Sequence, residues 1–238
     1  MPEGTSVSVF QVLLYGDINQ QTADVLMWHP DYRSTDDWSL NIPAYQRVNT
    51  ATDYDTEGFP HYLRPDGVDD SDATGLIDFT GTNKMSVFMG VVKESDAATA
   101  VLLELSPTIS TNAGSWYISA PQAPAGELVA FYNRGAVDIS KSITTGSPAP
   151  ASLVLTAQGD LAASTTKLRV NGVDMPTDTA PLGGGNYGNY ALYGSRRNNT
   201  EFPFKGRIYS RTVRGAASSA GEIRQMEQYI ARLMGKAL

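Results

Sequence analysis

The chain has 238 residues, with 18 Lys and Arg, 25 Asp and Glu, 2 His and no Cys. That length suits one large all-β domain plus an extension. The missing cysteine excludes disulfides, cysteine zinc sites, iron–sulfur clusters and thiol catalysis together. Hydrophobic residues at 41% against charged residues at 18% fit a folded chain, not a disordered one.

The first strand signal is residues 5–14, TSVSVFQVLL, where alternation passes into an apolar run. Its N-terminal flank, Met1-Pro2-Glu3-Gly4, lacks the basic and apolar regions of a signal peptide. Residues 17–44 hold Trp28, Tyr32 and Trp38 with little periodicity and are expected to form an irregular arm. With Phe10, these aromatic residues are candidate anchors for a partner interface, since aromatic side chains bury large areas at modest entropy cost. An exposed β-rich arm can also add a strand to a neighbour's sheet. The expected division is therefore an arm over residues 1–44, for attachment, and one domain over residues 45–238.

From residue 45 the pattern becomes short strands broken by turn residues. Strands are expected over 61–64, 85–92, 100–105, 115–119, 128–133, 152–157, 166–171, 190–193 and 205–214. Asn171-Gly172 suits a type I′ hairpin turn, which needs positive φ at both central residues. Such spacing argues for a two-sheet sandwich. At the end the period changes. Ser219 and Glu222 have capping-box spacing, Ile223, Met226, Ile230 and Leu233 share one helical face, and Gly235 can stop the helix. Arg224, Glu227 and Arg232 fall off that face.

Charge is uneven along the chain. Residues 1–120 hold 17 acidic and 5 basic side chains, residues 121–238 hold 8 and 13, and the net is −7. The halves either compensate within one body or present faces that attract copies head to tail. No dense Lys/Arg run exists, so nucleic acid is not an expected partner. No stretch approaches the ~20 apolar residues of a membrane helix, so a membrane is not one either.

Five segments in order carry a family resemblance. They are Tyr62-Leu63-Arg64-Pro65-Asp66-Gly67-Val68-Asp69-Asp70, Ile77-Asp78-Phe79-Thr80 with Met85-Ser86-Val87-Phe88, and Leu168-Arg169-Val170-Asn171-Gly172-Val173. The fourth and fifth are Gly185-Asn186-Tyr187-Gly188-Asn189-Tyr190-Ala191-Leu192-Tyr193-Gly194 and Phe204-Lys205-Gly206-Arg207-Ile208-Tyr209. Together they resemble bacteriophage virion proteins with a concanavalin A-like lectin/glucanase (laminin-G-like) domain, across roughly residues 45–238. The resemblance implies a concanavalin A-like jelly-roll β-sandwich with a short C-terminal amphipathic helix and an N-terminal arm. It implies a place on the virion, as tail fibre, spike or capsid decoration, with other phage virion proteins as partners and a homo-oligomer, such as a trimer, as the assembly. Pro65 stands where the family has an aromatic residue, so that strand is expected to end or bend early.

Three kinds of site are candidates. A host-surface glycan would be held by aromatic faces and planar polar groups: Trp116, Tyr117, Asn186, Tyr187, Asn189, Arg196 and Arg197. The bland alternative is a core tyrosine with a decorated loop. Asp66, Asp69, Asp70 and Asp72 offer closely spaced oxygens for Ca²⁺, or a solvated turn whose carboxylates bond nearby amides. Otherwise no cofactor is expected. Catalysis has little support. An E-x-D-x-x-E strand motif is absent, Glu104 stands alone, and His29 and His61 form no H-E-x-x-H. No nucleophile elbow is present. The expected function is non-enzymatic: a virion structural protein displaying a lectin-like sandwich for host-surface glycan attachment, or a purely structural protein with no sugar binding, with a polysaccharide-cleaving enzyme as the last alternative.

Overall fold

The computed structural model describes residues 24–28, 44–46 and 62–238, apart from 107–108, 123–126, 145 and 198–200. Its strands are β1 Asp24–Trp28, β2 Ala44–Gln46, β3 Asp72–Asp78, β4 Lys84–Lys93, β5 Val101–Leu105, β6 Ser115–Ser119 and β7 Ala130–Arg134. They continue with β8 Ile139–Ile143, β9 Ala151–Asp160, β10 Thr165–Val170, β11 Val173–Asp174, β12 Asn189–Gly194 and β13 Gly206–Arg214, and helix α1, Ala220–Leu233, follows. Two antiparallel sheets result. One has the order β1-β13-β4-β9-β10-β11, the other β2-β3-β12-β5-β6-β7-β8. This is the expected β-sandwich with a closing helix.

Period-two alternation decides which side chains face inward. Met85, Val87, Met89 and Val91 of β4 enter the core beside Leu153, Leu155 and Ala157 of β9. From the other sheet come Leu103 and Leu105 of β5, Trp116 and Ile118 of β6, and Phe131 of β7. Burying each large apolar side chain contributes about 1.5–3 kcal/mol. Between β10 and β11, Asn171 and Gly172 take φ of 51° and 79°, the positive pair that the tight turn requires.

Helix α1 covers the outer face of the six-stranded sheet. Its capping box is complete: Glu222 N–H donates to Ser219 Oγ, and Ser219 N–H donates to the Glu222 carboxylate. At its other end Lys236 N–H reaches Ala231 O and Gly235 N–H reaches Arg232 O, with Gly235 at φ +66°. This is a Schellman stop. The helix approaches so closely at Gly90 that a Cβ there would lie 2.6 Å from Ile230 Cγ2. One expectation is corrected. Glu227 is buried, not on the solvent face, because Thr156 Oγ1 and Arg169 Nε both donate to its Oε1.

Two further segments differ from expectation. The strand expected over 61–64 contracts to a single bridge, Leu63 to Ile208, just before Pro65, which has no amide to donate. Asp24–Trp28, inside the expected irregular arm, is a strand paired antiparallel with β13. Backbone pairing, which does not depend on side-chain alternation, explains why periodicity missed it. The strand expected over 5–14 lies outside the described residues. Among the described ion pairs, Asp72–Arg211, Glu94–Arg207 and Glu104–Arg197 each join a carboxylate of the first half to an arginine of the second. The sandwich therefore compensates part of the charge asymmetry internally.

Candidate binding site

The register of the seven-stranded sheet aligns one rung of residues across five strands. Tyr193 of β12 faces Glu104 of β5, Glu104 faces Tyr117 of β6, Tyr117 faces Tyr132 of β7, and Tyr132 faces Lys141 of β8. Directly paired residues in a sheet share a face. Because Trp116, Ile118 and Phe131 point into the core, this rung lies on the outer face.

Its side chains touch in sequence. Tyr117 and Tyr132 stack with ring centroids 4.4 Å apart and planes 11° apart. Arg197, just beyond β12, lies over Tyr117 at 5.1 Å and over Phe202 at 5.3 Å. Lys141 Nζ lies 5.9 Å from the centre of the Tyr132 ring. These distances fall within cation–π range. Phe202 adopts φ +57°, a left-handed conformation that is strained for a bulky residue and tends to gather at functional sites.

Glu104 is the floor of the cluster. It is fully buried, Arg197 Nε donates to its Oε2 at 3.1 Å, and its Oε1 has no hydrogen-bond partner. Burial raises its carboxyl to about 7, against the opposing pull of Arg197 and the Ile109 amide. Burial likewise pushes the Tyr117 phenol well above its ordinary range. Near neutral pH the site thus combines a partly protonated carboxyl, a guanidinium and two phenols in a row. Such a set can exchange hydrogen bonds with hydroxyl-rich or charged ligands.

Of the seven residues singled out for glycan, only Tyr117 and Arg197 meet here. Trp116 is corrected to a core residue, since the strand alternation that turns Tyr117 outward turns Trp116 inward against Phe131. Tyr187 is also in the core, where its hydroxyl donates to Asn133 Oδ1 and burial raises the phenol. Arg196 is buried and donates Nη1 to Asp69 O. Asn186 is exposed and donates Nδ2 to Thr80 O. Asn189 faces Asp78 at the far end of β12, four residues from Tyr193. Sequence reasoning missed Tyr132, Lys141 and Phe202, and left Glu104 isolated. The outward Tyr in SWYIS and in AFYNR was a visible signal, but not its registration with the other.

The aspartates divide. Asp66, Asp69 and Asp70 bring carboxylate oxygens within 4.8 Å of one another. Asp66 Oδ1 accepts from Val68 N–H and Asp70 Oδ2 from Asp66 N–H, the bonding of a self-capped turn. Asp72 is corrected: it is held apart in the interior by Arg211, which donates Nη1 to its Oδ1 at 2.9 Å. Of the arm aromatics, Trp28 lies in β1 beside Arg211 in register, while Phe10, Tyr32 and Trp38 lie outside the described residues.

No protein family matches the sequence, and no curated protein matches it. Solved structures do. Botulinum neurotoxin type C, studied for its interaction with two ganglioside molecules, superposes with a TM-score of 0.65 at 10% identity over 87% of this chain and 51% of that one. The serotype D ligand-binding domain in complex with N-acetylneuraminic acid gives 0.57 at 12%, over 80% and 47%. Domain 4 of AbnA, a GH43 extracellular arabinanase from Geobacillus stearothermophilus, in complex with arabinotriose, gives 0.63 at 17%, over 86% and 99%. The chain spans about half the length of the neurotoxin structures and nearly all of the arabinanase domain. At these identities the likeness is one of fold: a β-sandwich of the kind found in these proteins.

Proposed function

We propose that this is a non-enzymatic bacteriophage virion protein whose outer sheet face, at Glu104, Tyr117, Tyr132 and Arg197, binds a saccharide of the host surface. The observation that carries the saccharide reading is the rung itself: a buried carboxyl, an arginine and paired tyrosines brought together from four separate segments. The shared fold supports it, because the neighbours include domains solved with N-acetylneuraminic acid and with arabinotriose. The five ordered motifs support the virion reading. Glycoside hydrolysis by two carboxyl groups requires them roughly 5–9.5 Å apart, and the other titratable members of this rung are tyrosines and cations. A glycan array probed with wild-type protein and with the Tyr117→Ala, Tyr132→Ala double variant tests the site. Hits that vanish in the folded variant are expected, and an array without hits overturns the reading. Immunogold labelling of particles of the encoding phage tests the location.

A second reading, an assembly protein that binds no sugar, is favoured by one observation. β1 forms an edge strand on β13, and such a strand supplied by another copy would link subunits. In this reading residues 1–44 attach the sandwich to its virion or to further copies. Light scattering on the purified chain is expected to give an oligomer, and a monomer at all concentrations removes the subunit-linking role.

A further inference from the structure

The stacking geometry restricts what the rung can bind. Tyr117 and Tyr132 are cross-strand neighbours whose centroid separation of 4.4 Å is close to the spacing between strands, about 4.8 Å. Their stacking axis therefore runs across the strands, and the ring planes stand upright on the sheet. One face of each ring is spent on the other ring. The remaining faces are spent on Arg197 at one end and Lys141 at the other. Neither tyrosine offers an open face, so the flat stacking platform that suits the C–H face of a neutral sugar is missing from this row.

The ligand meets ring edges, phenol hydroxyls and cations instead. Lys141 is exposed and forms no ion pair among the described residues. Arg134, two residues beyond Tyr132 on the same strand face, is half-buried with its Nε unpartnered, and likewise forms no ion pair among the described residues. The nearby acids are committed to backbone. Asp178 Oδ2 accepts from Lys141 N–H, its Oδ1 accepts from Ala180 N–H, and Asp138 Oδ1 accepts from Ile139 N–H. Glu104 is engaged by Arg197 and carries less negative charge at neutral pH than an ordinary carboxylate. In a chain of net charge −7, this end of the sheet holds two cations without an ion pair among the described residues, close to two phenols.

We propose that the ligand of this face is an acidic saccharide, whose carboxylate is taken by Arg134 and Lys141 while its hydroxyls bond Tyr117 and Tyr132. The proposal rests on the saccharide reading above and narrows it to one chemical class. Arginine and lysine bind carboxylates through charge-assisted hydrogen bonds, stronger than those between neutral groups, and the attraction weakens as salt screens it.

Calorimetric titration of the full chain tests this with four probes: trigalacturonic acid, its neutral counterpart galactotriose, 3′-sialyllactose and lactose. At 20 mM NaCl at least one acidic probe is expected to bind ten-fold or more tightly than its neutral counterpart. Binding should weaken at least ten-fold in 500 mM NaCl, and similarly in the Arg134→Gln, Lys141→Gln variant. The two acidic probes separate a uronic-acid chain from a terminal nonulosonic acid. Equal binding of acidic and neutral probes, or an unaffected double variant, overturns the acidic class and leaves the saccharide reading standing. Binding of none of these probes, with an empty glycan array, overturns both. A variant with unchanged melting temperature shows that lost binding is not lost folding.

Discussion

The two sheets of the sandwich treat their outer faces in opposite ways. The six-stranded sheet presents Ser86, Phe88, Gly90, Val154 and Thr156 outward and covers them with α1, through Ile223, Met226 and Ile230. Some of its polar groups bond the segment leading into the helix: Ser86 Oγ donates to Ala216 O, and Gln158 Nε2 donates to Ser218 O, while Ser210 Oγ and Thr212 Oγ1 are buried on this face without a partner among the described residues. Among the described residues no helix covers the seven-stranded sheet. It presents Tyr193, Glu104, Tyr117, Tyr132 and Lys141 in one rung, with a buried carboxylate oxygen left unpartnered. The first face is built as a layer of the core. The second keeps groups that a stability-driven surface would avoid, which is the usual mark of a site.

The sharpest way to break this contrast is on the helix side. Ile230→Ala removes a fully buried side chain that contacts Gly90 and is expected to cost about 2–5 kcal/mol in urea unfolding. The folded fraction of that variant should bind saccharide as wild type does. An effect below ~1 kcal/mol would mean that the helix is not a core layer.

A smaller effect, with a definite sign, is expected at Glu104. Its carboxyl is raised from 4.5 to about 7 on folding, so the folded chain holds this proton more tightly than the unfolded chain. Between roughly pH 4.5 and 7 the folded state binds more protons, and stability falls as pH rises through that window. At about 1.4 kcal/mol per unit, the span is on the order of 3–4 kcal/mol. Glu104→Gln is expected to flatten this part of the pH–stability curve, measured by thermal melts from pH 4 to 8. An unchanged slope would place the titration elsewhere.

Tyr132→Ala should cost less. It removes the stack on Tyr117 and the seat of Lys141, contributions of about 0.5–1.5 kcal/mol for the aromatic pair. Its expected signature is a large loss of binding with a small loss of stability, the reverse of Ile230→Ala. Smallest of all, millimolar Ca²⁺ is expected to leave the melting temperature unchanged, because Asp66 and Asp70 already serve turn amides. A calcium-dependent rise would identify a metal site at Asp66, Asp69 and Asp70.

Local signals in the chain were enough for most of the sandwich. Alternation located β4, β5, β6, β9 and β13 within a few residues, the Asn171-Gly172 pair located the hairpin, and Ser219 with Glu222 located the start of α1. Each depends on neighbours close in sequence. β8 was missed because ISKSI is a short strand whose outward Lys and inward Ser give no apolar alternation. Glu227 was misread because a helical wheel assigns a face but cannot show that Thr156 and Arg169 of two other strands wait beneath it.

The sequence by itself determined the fold class, the closing helix and its caps, because propensity, period and turn chemistry are properties of short segments. It also placed Tyr117 and Arg197 among candidate ligand residues. Only the tertiary structure decided that Trp116 turns inward while Tyr117 turns outward, and that Asp72 belongs to Arg211 and not to the aspartate turn. It alone brought Glu104, Tyr117, Tyr132 and Lys141 into one row. Strand register is set by pairing between segments far apart in the chain, and a shift of one residue would turn every one of these side chains to the other face.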